Sequence, residues 1–151
     1  MAKFGALTGD ISRTARIPLT DPASERALPI KDHDGKEAYI EVEYVDSEAG
    51  RSFDRMQAQS PRTPDEQVTR NKHKTARLTR SWYLVDPGTG EPIDVTCNEE
   101  SARELYCDES KIAHHIWLQV WIGANALSNF TKRGSAISSS TPSTNSANPT
   151  N

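Results

Sequence analysis

The segment ESKIAHHIWLQVWIGANALSNF, residues 109–130, decides the fold of this chain. Asp108 is a residue type that caps helices, and the segment reads as one helix from about Glu109 to Phe130. At 100° per residue, Ile112, Ile116, Val120, Ala124, Leu127 and Phe130 fall on one stripe. Leu118, Trp121 and Ile122 project from roughly the opposite side. A helix that is apolar around its whole middle has to be enclosed, by its own domain or by a partner. The stripe is wide enough to dock the helix on its own domain. Leu118, Trp121 and Ile122 are therefore the expected partner-binding residues, each worth ~1.5–3 kcal/mol when covered. The competing arrangement lays an N-terminal hairpin over that side.

Working back from this helix, Thr96-Cys97-Asn98-Glu99 has the form of a capping box, with a hydroxyl at the cap and a glutamate three residues on. It predicts a short helix to about Tyr106. Asp86-Pro87-Gly88-Thr89-Gly90 is a turn, and Pro92-Ile93-Asp94-Val95 is long enough only for an edge strand. A further helix opens at Asp65-Glu66 and runs through Val68, Ala76 and Leu78 toward Trp82. Asp46-Ser47 caps another, with Glu48 in its first turn and Phe53 and Met56 on one face; Pro61 and Pro64 close it.

Farther upstream, Tyr39-Ile40-Glu41-Val42-Glu43-Tyr44-Val45 alternates at period two, with Ile40, Val42 and Tyr44 on one face. It follows Leu28-Pro29-Ile30 and the turn Asp32-His33-Asp34-Gly35, where glycine suits a positive φ. The pair reads as a β-hairpin. The expected class is thus α+β, with an N-terminal β-hairpin and short strands followed by a mainly helical C-terminal half. Residues 1–27 form an extended arm, 28–131 a single domain, and 132–151 a Ser/Thr/Asn-rich tail. That tail holds one large aliphatic residue, Ile137, and is expected to be disordered because it has too little to bury.

Composition bounds the function. Leu, Ile, Val and Phe make up 26 of 151 residues, and 12 of them lie in 82–131 together with all three tryptophans. The core is small, while a net charge of −3 is too low to force the chain open. No apolar run approaches the ~20 residues that span a bilayer, and residues 1–20 lack the charged start and apolar stretch of a secretory signal. Two cysteines cannot build a disulfide framework and suit a reducing, cytosolic compartment. Residues 62–80 are basic, with a net charge of +4, and 86–109 carry −7. Pairing between the two stretches is the economical expectation. With the chain's pI near 5.8, nucleic acid is not the expected partner, although Arg70–Arg80 with Trp82 and Tyr83 has the residue types for it.

Chemistry-bearing residues are sparse. Cys97, Cys107, His114 and His115 do not have the ligand spacing of a zinc site, and no metal or cofactor is expected. Neither cysteine sits in a nucleophile motif. Asp32/Asp34 and Glu41/Glu43 are carboxylate pairs, but alternating acids in a hairpin ordinarily form its wet face. No catalytic residues are assigned, and the chain reads as a non-enzyme.

Several short patterns in order, Asp32-x-Asp34-Gly35-x-x-Ala38-Tyr39-Ile40-x-Val42, Asp46-Ser47-x-x-x-Arg51, Trp82-x-x-Val85-Asp86, Gly90-x-Pro92-Ile93-x-x-Thr96 and a helix pair ending in Asn129-Phe130, resemble the tail assembly chaperones of long-tailed bacteriophages. The resemblance covers about residues 28–131. It implies a non-enzymatic protein of the bacterial host cytoplasm that holds the phage tape-measure protein soluble, helps to recruit tail-tube subunits, and is absent from the mature virion. Self-association is compatible with that role. The competing classes are a permanent minor virion protein (tail or head–tail connector) and a small DNA-binding regulator.

Overall fold

The computed structural model describes residues 11–131. It is an α+β fold in which a four-stranded antiparallel sheet, in the order β1-β2-β3-β4, is packed against four helices. The strands are β1 (Thr14–Pro18), β2 (Tyr39–Glu43), β3 (Thr79–Val85) and β4 (Pro92–Ile93). The helices are α1 (Glu48–Arg55), α2 (Pro64–Leu78), α3 (Glu99–Tyr106) and α4 (Lys111–Asn125), followed by a 3-10 turn at Leu127–Phe130.

The alternation in β2 fixes the layer arrangement. Ile40 and Val42 are fully buried, opposite Ile17 and Ala15 of β1, so this face is the sheet's contribution to the core. Thr14–Pro18, within the stretch expected as an extended arm, is an edge strand that carries Ile17 into that core. The expected turn forms: Gly35 has φ +85° and its N–H donates to the Asp32 carbonyl. The hairpin expectation changes in its partners, because β2 pairs with β1 and β3. Residues 28–30 form no named strand, but Ala38 N–H donates to the Ile30 carbonyl and Lys31 bridges Glu37 across the turn, while Ile30 N–H donates to the Leu19 carbonyl and its side chain is buried.

Caps place the helices. Ser47 Oγ accepts from Gly50 N at the start of α1, and Thr63 Oγ1 accepts from Glu66 N at the start of α2, where Pro64 takes the first turn. Helix α2 does not reach Trp82. It ends at Leu78 and β3 begins at the next residue, because Thr79-Arg-Ser-Trp-Tyr-Leu-Val is rich in β-branched and aromatic residues that pair with β2. Arg80 is the extra residue where the β2–β3 register slips. The cap of α3 is Asn98 rather than Thr96, with Ser101 completing the capping box. Of the edge strand expected over Pro92–Val95, Pro92–Ile93 forms.

The last helix is shorter than its apolar pattern suggests. Ser110 caps it, it stops at Asn125, and Leu127–Phe130 turns as 3-10. Its buried face consists of Ala113, Trp117, Val120, Gly123 and Ala124; Val120 and Ala124 of the expected stripe are thus buried, as is Phe130 beyond the helix, whereas Ile112 and Leu127 are exposed and Ile116 is only partly covered. The helix touches β1 and β2 on one side and α2 and α3 on others. Trp117, 2% exposed, donates from Nε1 to Thr75 Oγ1 of α2 at 2.9 Å. Phe130 is buried against Tyr44, with ring centroids 5.4 Å apart. The expectation of disorder for 132–151 lies outside the described residues.

Candidate functional site

The three expected partner-binding residues do not lie in one environment. Leu118 and Trp121 are half-buried and packed against the core, Trp121 stacking on Trp117 with ring centroids 6.1 Å apart. Ile122 is 64% exposed. Three residues assigned to the docking stripe, Ile112, Ile116 and Leu127, are instead turned outward or partly outward. Ile112 is 51% exposed, and Ile116 is only partly covered.

Ile112 and Ile116 form one wall of an apolar groove of about 160 Å³. Leu84 and Val85 of β3, Ile93 of β4 and Leu105 of α3 supply other walls, with Leu19 and Ile30 from the loops that flank β1 and precede β2. Ile93 is 44% exposed, so the groove opens to solvent on this side as well. An apolar cavity of about 150 Å³ accommodates a benzene-sized group. The groove therefore has room for about one large side chain of another molecule. Pattern analysis missed it because it is assembled from six separate segments, none of which is apolar enough alone to stand out.

A wider cleft of about 970 Å³ lies at the other end of the sheet, lined by Arg13, Arg51, Arg77, Arg80, Glu43 and the first turn of α1. Its arginines are already engaged. Arg80 Nε donates to Glu43 Oε2 at 2.6 Å and Arg13 approaches the same oxygen at 3.5 Å. Arg51 reaches Glu48, and Arg77 donates to Glu99 Oε1 at 3.0 Å. Of the basic 62–80 stretch, only Arg77 pairs with the acidic 86–109 stretch; Lys74 goes to Asp54 and Arg80 to Glu43.

The carboxylate pairs are bound rather than poised. Glu43, expected on the wet face, is 4% exposed, because Arg13 and Arg80 cover and neutralise it. Glu41 accepts from Ser81 Oγ and Thr14 Oγ1, each at 2.6 Å, and these bonds hold its pKa below the usual range. Asp32 is lowered by the hydrogen bond from the Tyr83 hydroxyl and by backbone N–H donors, and the same bond raises Tyr83 to about 12. A general base working near neutrality needs the opposite shift. Burial raises the Cys97 thiol, the reverse of activation for a nucleophile. Burial lowers His73, as it does His114, where Lys72 adds to the effect. Among the described residues no group of three His, Cys, Asp or Glu side chains is placed to hold a metal ion. Among them, too, no helix is long and apolar enough to cross a membrane.

Comparison with protein-family models, with curated proteins and with solved structures gave no match to this chain.

Proposed function

We propose that this protein is a non-enzymatic binding protein that keeps an apolar partner surface covered, and that it acts as a tail assembly chaperone of a long-tailed bacteriophage. The observation that carries the binding role is the open apolar groove walled by Ile112, Ile116, Leu105 and Ile93. Exposed apolar side chains gathered around a concavity mark an interaction site more often than scattered ones do. The phage assignment rests on the ordered sequence patterns between 28 and 131. On this reading the partners are the tape-measure protein and, through it, tail-tube subunits, in the host cytoplasm.

The test is co-expression with the tape-measure protein encoded in the same genome, scored by the soluble fraction of that partner, together with mass spectrometry of purified virions. Solubilisation of the partner and absence from virions are expected. Stoichiometric presence in virions would assign a permanent tail or connector protein instead. Salt-dependent binding to duplex DNA, with no effect on the tape-measure protein, would assign a regulator.

A further inference from the structure

The apolar groove has a charged setting that narrows what fits it. Asp21 is itself one of the lining residues. Asp86 lies between Val85 and Pro87, both of which line the groove; Asp94 follows Ile93, and Glu104 precedes Leu105. Among the described residues none of these four carboxylates makes an ion pair. Asp21 and Asp86 only accept from nearby backbone N–H groups, at Ala23 and Gly88, which leaves their charge uncompensated. The cations that adjoin lining residues are Lys31, after Ile30, and Lys111, before Ile112. The wider segment 86–109, which supplies Pro87, Ile93 and Leu105 to the lining, carries a net charge of −7. Part of that charge is spoken for, since Glu99 also holds Arg77 from outside the segment, and Glu91 meets His33. The remainder faces solvent without a counter-charge.

An apolar slot with this acidic surround favours one kind of occupant. We infer that the groove docks a cationic amphipathic segment of a partner protein, which seats one large apolar side chain among Ile93, Leu105, Ile112 and Ile116 and sets lysines or arginines against the surrounding carboxylates. The inference deepens the binding role proposed above and rests on it for the existence of a partner. Burial of the anchor supplies attraction that is blind to charge. The carboxylates supply selectivity, since a basic segment is drawn in and an acidic one is opposed by like charge. The slot is too small for an extended apolar interface, so a single anchor with basic flanks matches both its volume and its rim.

Two synthetic helical peptides test this, identical in their apolar positions, each with one phenylalanine anchor, but bearing lysine and arginine on the polar face of one and glutamate on the other. Titration of the full chain, read by anisotropy of the labelled peptide, is expected to show at least tenfold tighter binding of the cationic peptide at low salt. The gap should shrink severalfold near 1 M salt, where charges are screened within about 3 Å. Ile112→Ser, at an exposed position whose folding is checked by circular dichroism, should weaken the cationic peptide at least fivefold. The pair Asp94→Asn and Glu104→Gln should reduce the preference between peptides and leave the anionic peptide no weaker. Equal binding of both peptides, or binding unaffected by Ile112→Ser, overturns the inference. So does a dimer, seen in sedimentation, that Ile112→Ser dissociates, because the occupant is then a second copy of this chain. Solubilisation of the tape-measure protein without peptide selectivity refutes the occupant and leaves the chaperone reading standing. Peptide selectivity without solubilisation does the reverse.

Discussion

Gly123→Ala measures how closely α4 presses on the sheet. A Cβ at this position would lie 2.5 Å from Ile17 Cδ1, 2.9 Å from Cγ1 and 3.2 Å from Cγ2, well inside the ~3.5–4.0 Å of a relaxed carbon contact. Overpacking of this kind costs about 1–3 kcal/mol. Replacing glycine with alanine inside a helix returns about 0.8–1.0 kcal/mol of propensity. The expected result is a net loss near 1 kcal/mol, read as a lower urea midpoint with tryptophan fluorescence. Ile17→Ala removes all three offending atoms, at a cost of about 2–5 kcal/mol on its own. In that background Gly123→Ala should become stabilising by up to about 1 kcal/mol, a coupling near 2 kcal/mol that exceeds the ~0.3–0.5 kcal/mol scatter of independent sites. Ile17→Val trims only Cδ1 and gives a milder background, in which the coupling should be intermediate. If Gly123→Ala is equally stabilising in every background, α4 does not sit on Ile17, and the positions of Ile112 and Ile116 that follow from that seating are wrong.

Three further outcomes follow from single contacts. Gln119 bridges to Thr20, its Oε1 accepting from the backbone N–H at 2.8 Å and its Nε2 donating to the carbonyl at 2.9 Å; Gln119→Ala should cost about 1–3 kcal/mol and speed amide exchange at Thr20. Tyr83 should titrate near 12, above its ordinary 10, so its contribution to stability is complete below pH 10 and is lost as the pH rises through 12; Asp32→Asn should bring the phenolate absorbance step back toward 10. Lys74 is buried and its Nζ lies 2.9 Å from Asp54 Oδ2, which is half-exposed, so Asp54→Ala should destabilise by less than the ~3–5 kcal/mol of a fully buried pair, while Lys74→Met, which removes the charge along with its need for a partner, should cost less than Asp54→Ala in thermal melts.

The elements that were legible are those whose signal is local. Ile40 and Val42 alternate because one face of β2 is buried, and the caps at Ser47 and near Asn98 act within four residues. The boundary between α2 and β3 was illegible because no glycine or proline marks it. It is set at Thr79 by distant partners: its Oγ1 lies 2.8 Å from the buried Tyr106 hydroxyl, and its backbone pairs opposite Val42. Strand β1 offers only Ile17 as a large apolar residue, so its place in the sheet depends on a register with β2 that the segment alone does not announce. Glu43 looks like a solvated hairpin residue, yet it is buried by Arg13 and by Arg80, which sits at the register slip.

The misreading of α4 has a more general physical cause. A stripe at 100° per residue joins Ile112, Ile116, Val120, Ala124, Leu127 and Phe130 as the core face, and of these Val120, Ala124 and Phe130 are fully buried. The helix buries Ala113, Trp117 and Gly123 as well, because it is held close to β1 on one side and to α2 on another. Val45 N–H donates to the Ala124 carbonyl at 2.8 Å, an approach of loop backbone to helix backbone that bulky side chains on that face would obstruct. Once small residues occupy the close contacts, Ile112, Ile122 and Leu127 have no room there and remain exposed. These side chains are not needed to seat the helix. Ile112, half-exposed, and Ile116, partly covered, then line the groove between α4, α3 and β4.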